Sequence, residues 1–420
     1  MSNFSFTDKQ RELFADWKHG RLRRINILEG SVRSGKTYVS LVLWALWLAT
    51  RPEDGRYLMA GRTLTALKRN CLEPLMELLG ADNMRFSLAT KRAHILGRCV
   101  ELEGASNALS ENKIRGVTLS GAYVDEITLL PRDFFAMLLS RLSAPGAQLF
   151  GTTNPDSPGH WLKTEFLDRA DVDLYRRRFL LEDNTTLPGD YIRNLKKEYT
   201  GVFYDRFIRG EWVAAEGAVY PMFDESVHVC RAEPQLRLQW IGVDYGHTNP
   251  TCFLRLGVDS AGDVWVADEY YHQAGRTGAK SPREYVRDLA AFASAAPAEL
   301  IAIDPSAEGF LLQLREDAPH LRIRRADNAV TEGIQLVGSA LSAGILKIHP
   351  RCKNLIREMS GYRWDPKGQL AGIDRPIKAD DHACDALRYA LMAHKKEINR
   401  RVMNLGKNPV PPDPLAMARL

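Results

Sequence analysis

Cysteine is sparse and never clustered. Six residues, Cys71, Cys99, Cys230, Cys252, Cys352 and Cys384, stand singly, which excludes a CxxC zinc or dithiol site and predicts reduced packing thiols in a cytosolic protein. HExxH and GxSxG are missing as well, so zincin and α/β-hydrolase chemistry are excluded. No apolar run is long enough for a membrane span; the most apolar stretch, "TYVSLVLWALWLAT" (37–50), is too short and carries hydroxyl residues, and it predicts a buried helix. The start, "MSNFSFTDKQRELF", has no basic region before an apolar run and predicts no secretion signal. Neither charge sign dominates: a net charge of +5 is too small an excess at this length to point to a polyanion by itself.

What remains is ordinary globular composition, 45% hydrophobic and 26% charged, which excludes a disordered or fibrous chain. A length of 420 residues predicts two domains. Short β-branched runs, "RINILEG" (24–30), "RYLMAGR" (56–62), "GAYVDEI" (121–127) and "QLFGTTN" (148–154), alternate with helical patterns and predict an α/β domain with a mainly parallel sheet over residues 1–212. "AHILGRCVELEGA" (93–105) reads as a strand or hairpin within it. A mixed stretch, 213–234, is the expected connection. From Trp240 two apolar runs, a turn at "DSAGD" (259–263) and a third run predict an antiparallel meander opening a second domain, 235–396. Residues 397–420, basic and then proline-rich, are the expected flexible tail.

"GSVRSGKT" places Gly30, Ser31, Val32, Arg33, Ser34, Gly35, Lys36 and Thr37 in GxxxxGK[ST] order between a strand and a helix. There the backbone amides would cradle phosphates, Lys36 reach the β and γ oxygens of ATP, and the Thr37 hydroxyl ligate magnesium. "YVDE" adds Asp125 for the metal shell and Glu126 to polarise the attacking water. Arg33 and Arg115 are both candidate arginine fingers, in cis or from a neighbouring subunit; either could equally be solvated. Asn154 in "GTTNP" ends a strand where a γ-phosphate sensor would stand, or makes an Asn-Pro turn. Gln10 either reads adenine or closes a capping box with Thr7.

The second half offers aspartates at apolar strand ends: Asp244 in "IGVDYG" and Asp304 in "ELIAIDPS", with Asp385 on a helix in "DHACDALRY". A carboxylate in so apolar a run is costly unless it is paired or binds a cation. Acids on a first strand, a later strand and a final helix describe a ribonuclease-H-like nuclease with an oxygen-rich site for magnesium, or manganese as the alternative. Glu269 is the reserve for Asp304. On the helix, Ala383, Ala386, Leu387, Ala390 and Leu391 form an apolar stripe, which turns Asp381, Asp385 and Arg388 toward a cleft or solvent and puts His382 on a flank. Asp380 and Asp381 fit a helix cap and first turn. "YRRRF" (175–179) reads as a solvated charge run or a DNA contact.

Together these motifs resemble the large subunit of tailed-phage terminases, in its PBSX-type branch, over roughly residues 5–395. The resemblance implies an additional-strand P-loop ATPase that drives double-stranded DNA into a procapsid and a ribonuclease-H-like endonuclease that cuts concatemers. It implies metal ligation by Asp244, Asp304 and Asp385 with His382 alongside, and a trans-acting Arg115. The partners it implies are a portal protein and a small terminase subunit, with work as a homo-oligomeric ring, expected to be a pentamer, in the host cytoplasm without a membrane. Many members are monomers in isolation. The alternative reading is a repair-type helicase-nuclease acting on cellular DNA.

Overall fold

The computed structural model describes residues 6–246, 249–273, 278–296, 298–370 and 372–404. The chain divides into two compact units, 1–188 with 202–214 and 367–373, and 189–201 with 215–366 and 374–420. Residues 189–201, expected in the first domain, therefore belong to the second unit. The helix Lys395–Asn404 buries Ile398 and Val402, so a tail does not begin at 397. The rest of the expected tail lies outside the described residues.

The first unit is built on an eight-stranded sheet in the order β3-β4-β5-β2-β6-β7-β1-β8. Its strands are β1 (Ile25–Gly30), β2 (Tyr57–Gly61), β3 (Met84–Ser87), β4 (Arg92–Ile95), β5 (Arg98–Gly104), β6 (Gly121–Val124), β7 (Gln148–Thr153) and β8 (Leu174–Phe179). All pairs from β5 to β8 are parallel, and β3-β4-β5 form the antiparallel edge. The expected hairpin at 93–105 is β4 and β5. β7 stands between β1 and β6, the hallmark of the additional-strand class.

β1 is buried at every residue, as a parallel strand covered on both faces must be. Ile25 and Ile27 join one core with Val124, Phe134 and Phe135, and Leu28 the other with Trp44, Tyr123 and Phe150. The helix Lys36–Ala49 buries most of its length, and Trp44 stacks on Trp47 with ring centroids 5.2 Å apart. Each such large apolar side chain contributes about 1.5–3 kcal/mol by burial, so this helix is held by packing rather than by its caps.

The second unit carries a six-stranded sheet, β13-β12-β9-β10-β11-β14, from β9 (Leu238–Asp244), β10 (Thr251–Val258), β11 (Val264–His272), β12 (Ile301–Ile303), β13 (Ile323–Arg325) and β14 (Leu346–Ile348). β9 to β11 form the expected antiparallel meander, while β12 runs parallel to β9. This mixed sheet is not the second RecA-like lobe that a helicase would need. The helix His382–Ala393 lies against β9 at Gly242, where a Cβ would sit 2.1 Å from the Ala386 carbonyl oxygen and 2.8 Å from the Ala390 Cβ. Glycine there brings helix and strand within reach of one another. Among the described residues no helix is long and apolar enough to cross a membrane.

Candidate functional site

In the first unit, the neighbouring parallel strands β6, β7 and β1 end at one edge of the sheet, where α/β folds bind ligands. A pocket of about 660 Å³ opens there, lined by Lys36, Thr37, Asp125, Glu126 and Asn154 among others. The loop is shaped for phosphate. Gly30 has φ 131°, and a Cβ there would sit 1.8 Å from the Phe179 carbonyl oxygen, so only glycine allows the turn. Ser31 and Ser34 are buried, and their hydroxyls have no partner among the described residues. Unpaired buried donors beside a glycine-rich turn at a helix start suit an anion that supplies the missing bonds.

Lys36 Nζ donates to the Ser31 carbonyl at 2.9 Å and to Asn154 Oδ1 at 2.6 Å. Burial lowers its pKa to about 8, with Glu126 and Asp125 pulling the other way. Asp125 is held at both oxygens: Thr152 Oγ1 donates to Oδ1 at 2.9 Å and Asn70 Nδ2 to Oδ2 at 3.1 Å. Glu126 sits at φ 51°, a left-handed conformation that costs a non-glycine residue about 1–2 kcal/mol. Such strain is characteristic of functional positions. Burial and then Asp125 raise the Glu126 pKa, against Lys36, Arg69 and Arg62.

In the second unit, parallel pairing puts the ends of β9 and β12 side by side, and the Asp304 amide donates to the Val243 carbonyl at 3.1 Å. Asp244, Asp304, Lys378, His382 and Asp385 line one pocket of about 640 Å³. His382 Nδ1 lies 2.9 Å from Asp244 Oδ2. Burial raises the Asp244 pKa to about 6; the His382 bond opposes this, and Asp385 and Asp304 reinforce it. For His382 burial works downward, but Asp244, Asp381 and Glu358 raise its pKa overall. Burial for Asp244 and neighbouring carboxylates for His382 hold protons more tightly than in water, and an acid pocket of this kind is eased by a cation.

Lys378 answers that call within the chain. Its Nζ is 3.0 Å from Asp385 Oδ2 and 3.1 Å from Asp381 Oδ2, while Arg388 Nη2 holds Asp385 Oδ1 at 2.7 Å. Ser306 occupies Asp304, with N–H to Oδ1 at 2.9 Å and Oγ to Oδ2 at 2.6 Å. Among the described residues no three carboxylates or imidazoles already stand at caging distance. Three carboxylates facing one pocket are nonetheless an oxygen donor set suited to a hard divalent ion, which would take over the charge now supplied by Lys378.

Several expectations change. Asp385, expected toward a cleft or solvent, is buried and lines the acid pocket, whereas Arg388, expected on the same side, is fully buried; helices Val330–Ser342 and Lys353–Gly361 cover the side of His382–Ala393 away from the sheet. Asp381 stands at the cap position without a side-chain cap bond. Glu358 does the capping instead, accepting from the Ala383 amide at 2.6 Å and the Cys384 amide at 3.3 Å. Glu269 caps the helix Lys353–Gly361 through Asn354 and Leu355 and does not line the acid pocket, whereas Asp304 does. Gln10 closes the Thr7 capping box and also donates to the Gly35 carbonyl at 3.4 Å. Arg33 and Val32 line the pocket at the glycine-rich loop. Arg115 does not; it pairs with Glu111 at 2.7 Å and is mostly exposed. In "YRRRF" Arg176 and Arg178 are exposed, as a solvated run would be, while each arginine also has a partner within the chain: Arg176 pairs with Glu29, Arg177 with Glu12 and Asp16, and Arg178 donates to the Arg209 carbonyl.

Arg69, Asn70, Lys378 and Glu358 escape sequence reasoning. Only Lys378 left a signal, its place beside the acidic cluster.

Known proteins match this arrangement. The family model described as terminase large subunit, T4likevirus-type, N-terminal covers residues 27–227, and the terminase RNase H-like domain model covers 244–393. A curated terminase large subunit of Escherichia phage T5 is 24% identical over 332 residues, 73% of this chain and 74% of that protein. The large terminase of a thermophilic bacteriophage, solved as a crystal structure, is 32% identical, with 92% of this chain and 98% of that one covered and a TM-score of 0.86. The complex of that terminase with ADP superposes with a TM-score of 0.85.

Proposed function

Because the chain belongs to the family of phage terminase large subunits, DNA-packaging motors with an ATPase and a nuclease half, we propose a residue-level division of labour. ATP occupies the pocket at the P-loop. The amides of Gly30 to Thr37 cradle its phosphates, Gln10 lies beside Gly35 on the adenine side, and Asn154 senses the γ-phosphate through its bond to Lys36. Thr37 and Asp125 hold magnesium, and Glu126, its proton affinity raised by burial, accepts the proton of the attacking water. Lys36 and Arg33 draw off charge in cis. Arg115, exposed outside the pocket, acts in trans from the next subunit of a ring, a pentamer in our reading.

In the second unit Asp244, Asp304 and Asp385 hold magnesium or manganese, with His382 fixing the Asp244 carboxylate. A divalent ion held there would supply Lewis-acid charge for phosphodiester hydrolysis. Arg388 keeps Asp385 aligned, and Lys378 balances the acids until the metal is loaded. In this reading the chain drives double-stranded DNA through a portal protein into the procapsid, and a small terminase subunit presents concatemeric DNA for cutting, all in the host cytoplasm.

The single observation that carries the proposal is that one chain holds two pockets with distinct donor sets, a lysine-and-amide cradle and a carboxylate cluster. DNA cleavage and ATP turnover by the purified chain, with magnesium, manganese and EDTA compared, test it. EDTA-resistant cleavage would contradict the assignment of the acids.

A further inference from the structure

The nucleotide pocket has a wall that no motif announced. Between the helices Leu64–Leu67 and Glu73–Leu79, residues Lys68–Leu72 form a single π turn, closed by the Glu73 amide donating to the Lys68 carbonyl. Leu67, Cys71, Leu72 and Leu75 are fully buried, which fixes the inner side of the turn. The extra residue of the π turn leaves Arg69 and Asn70 facing the pocket, and both line it. Isolated π turns in helices recur at functional sites because they re-aim side chains that a regular helix would point elsewhere.

Arg69 and Asn70 are linked to the catalytic acids in series. Arg69 Nε donates to Asn70 Oδ1 at 3.2 Å, and Asn70 Nδ2 donates to Asp125 Oδ2 at 3.1 Å. Only this orientation of the Asn70 amide satisfies both neighbours. Arg69 also opposes the effect of burial on Glu126, so its charge is felt at the other acid of the pair. Arg115 is engaged by Glu111 outside the pocket, and Arg33 lines the pocket from the P-loop itself.

We propose that the π turn is a catalytic element of the ATPase: Arg69 is a further cis-acting cation for the γ-phosphate beside Lys36 and Arg33, and Asn70 is a positioning residue that aims Asp125 at the metal. This rests on the nucleotide-site reading above. Guanidinium charge at this pocket, added to that of Lys36, would neutralise the equatorial oxygens as the terminal P–O bond lengthens. Nucleotide occupancy would in turn draw Arg69 off Asn70 and so be reported to Asp125.

Steady-state ATP turnover, ADP affinity and magnesium dependence of the full chain test this. Arg69→Ala should lower kcat about 10²-fold with ADP affinity nearly unchanged, and Arg69→Lys should recover part of the loss. Asn70→Ala should raise the half-saturating magnesium concentration about tenfold while kcat at saturating metal is largely kept. Mixing Arg69→Ala with Lys36→Ala chains should not restore turnover. An Arg69→Ala kcat close to wild type, an equal loss of ADP binding, or recovery on mixing would overturn the proposal. Turnover persisting in Lys36→Ala alone would instead sink the nucleotide-site reading beneath it.

Discussion

His382 Nδ1 lies 2.9 Å from Asp244 Oδ2, so a strand end and a helix start share one proton-binding pair at the mouth of the acid pocket. Metal binding must compete with that proton. Burial sets the Asp244 pKa at about 6, above its ordinary value. Its neutral form therefore stabilises the metal-free fold at low pH, and this contribution is lost as pH rises through about 6. Divalent-metal affinity should run the other way, falling up to about tenfold per pH unit below 6. Calorimetric manganese titrations from pH 5 to 8 check this, and Asp244→Asn should flatten the profile.

Glu358, almost wholly buried, accepts from the Ala383 and Cys384 amides and from the Tyr271 hydroxyl at 2.8 Å. Glu358→Ala leaves these donors unpaired at the start of the helix that carries His382 and Asp385. The expected cost is about 1–3 kcal/mol, read as an earlier unfolding transition in thermal melts, with weakened metal binding. Glu358→Gln, which keeps an acceptor, should lose less.

Gly242→Ala is expected to damage the nuclease without touching ATP turnover. The added methyl meets the Ala386 carbonyl and the Ala390 Cβ, and forcing the helix off β9 should cost about 1–3 kcal/mol or more. Asp385 and His382 would move away from Asp244. DNA cleavage and ATPase assays on the same preparation separate the two effects.

How much of this was legible depended on whether the signal was local. The P-loop, Asp125 with Glu126, and Asp244 announce themselves because strand, turn and functional residue are contiguous. Asp304 and Glu269 could not be separated in sequence, since each follows an apolar run. They differ in topology: β12 is parallel to β9 and delivers Asp304 beside Asp244, whereas Glu269 lies within β11 and caps a helix. Helical periodicity put Asp385 and Arg388 on one wet face, whereas most of His382–Ala393 is buried, with Asp385 lining the acid pocket and Arg388 fully enclosed. Arg69 and Asn70 were invisible because a π turn has no residue signature, and Glu358 because its partners lie more than twenty positions away. The second unit's claim on 189–201 likewise appears only in three dimensions.

The central claim is that one chain carries two independent catalytic sites, and a pair of single changes in the full-length protein tests it most directly. Glu126→Gln should abolish ATP turnover and spare DNA cleavage. Asp244→Ala should abolish cleavage and spare turnover. Loss of both activities from either change, in protein that still melts as the wild type does, would contradict the account.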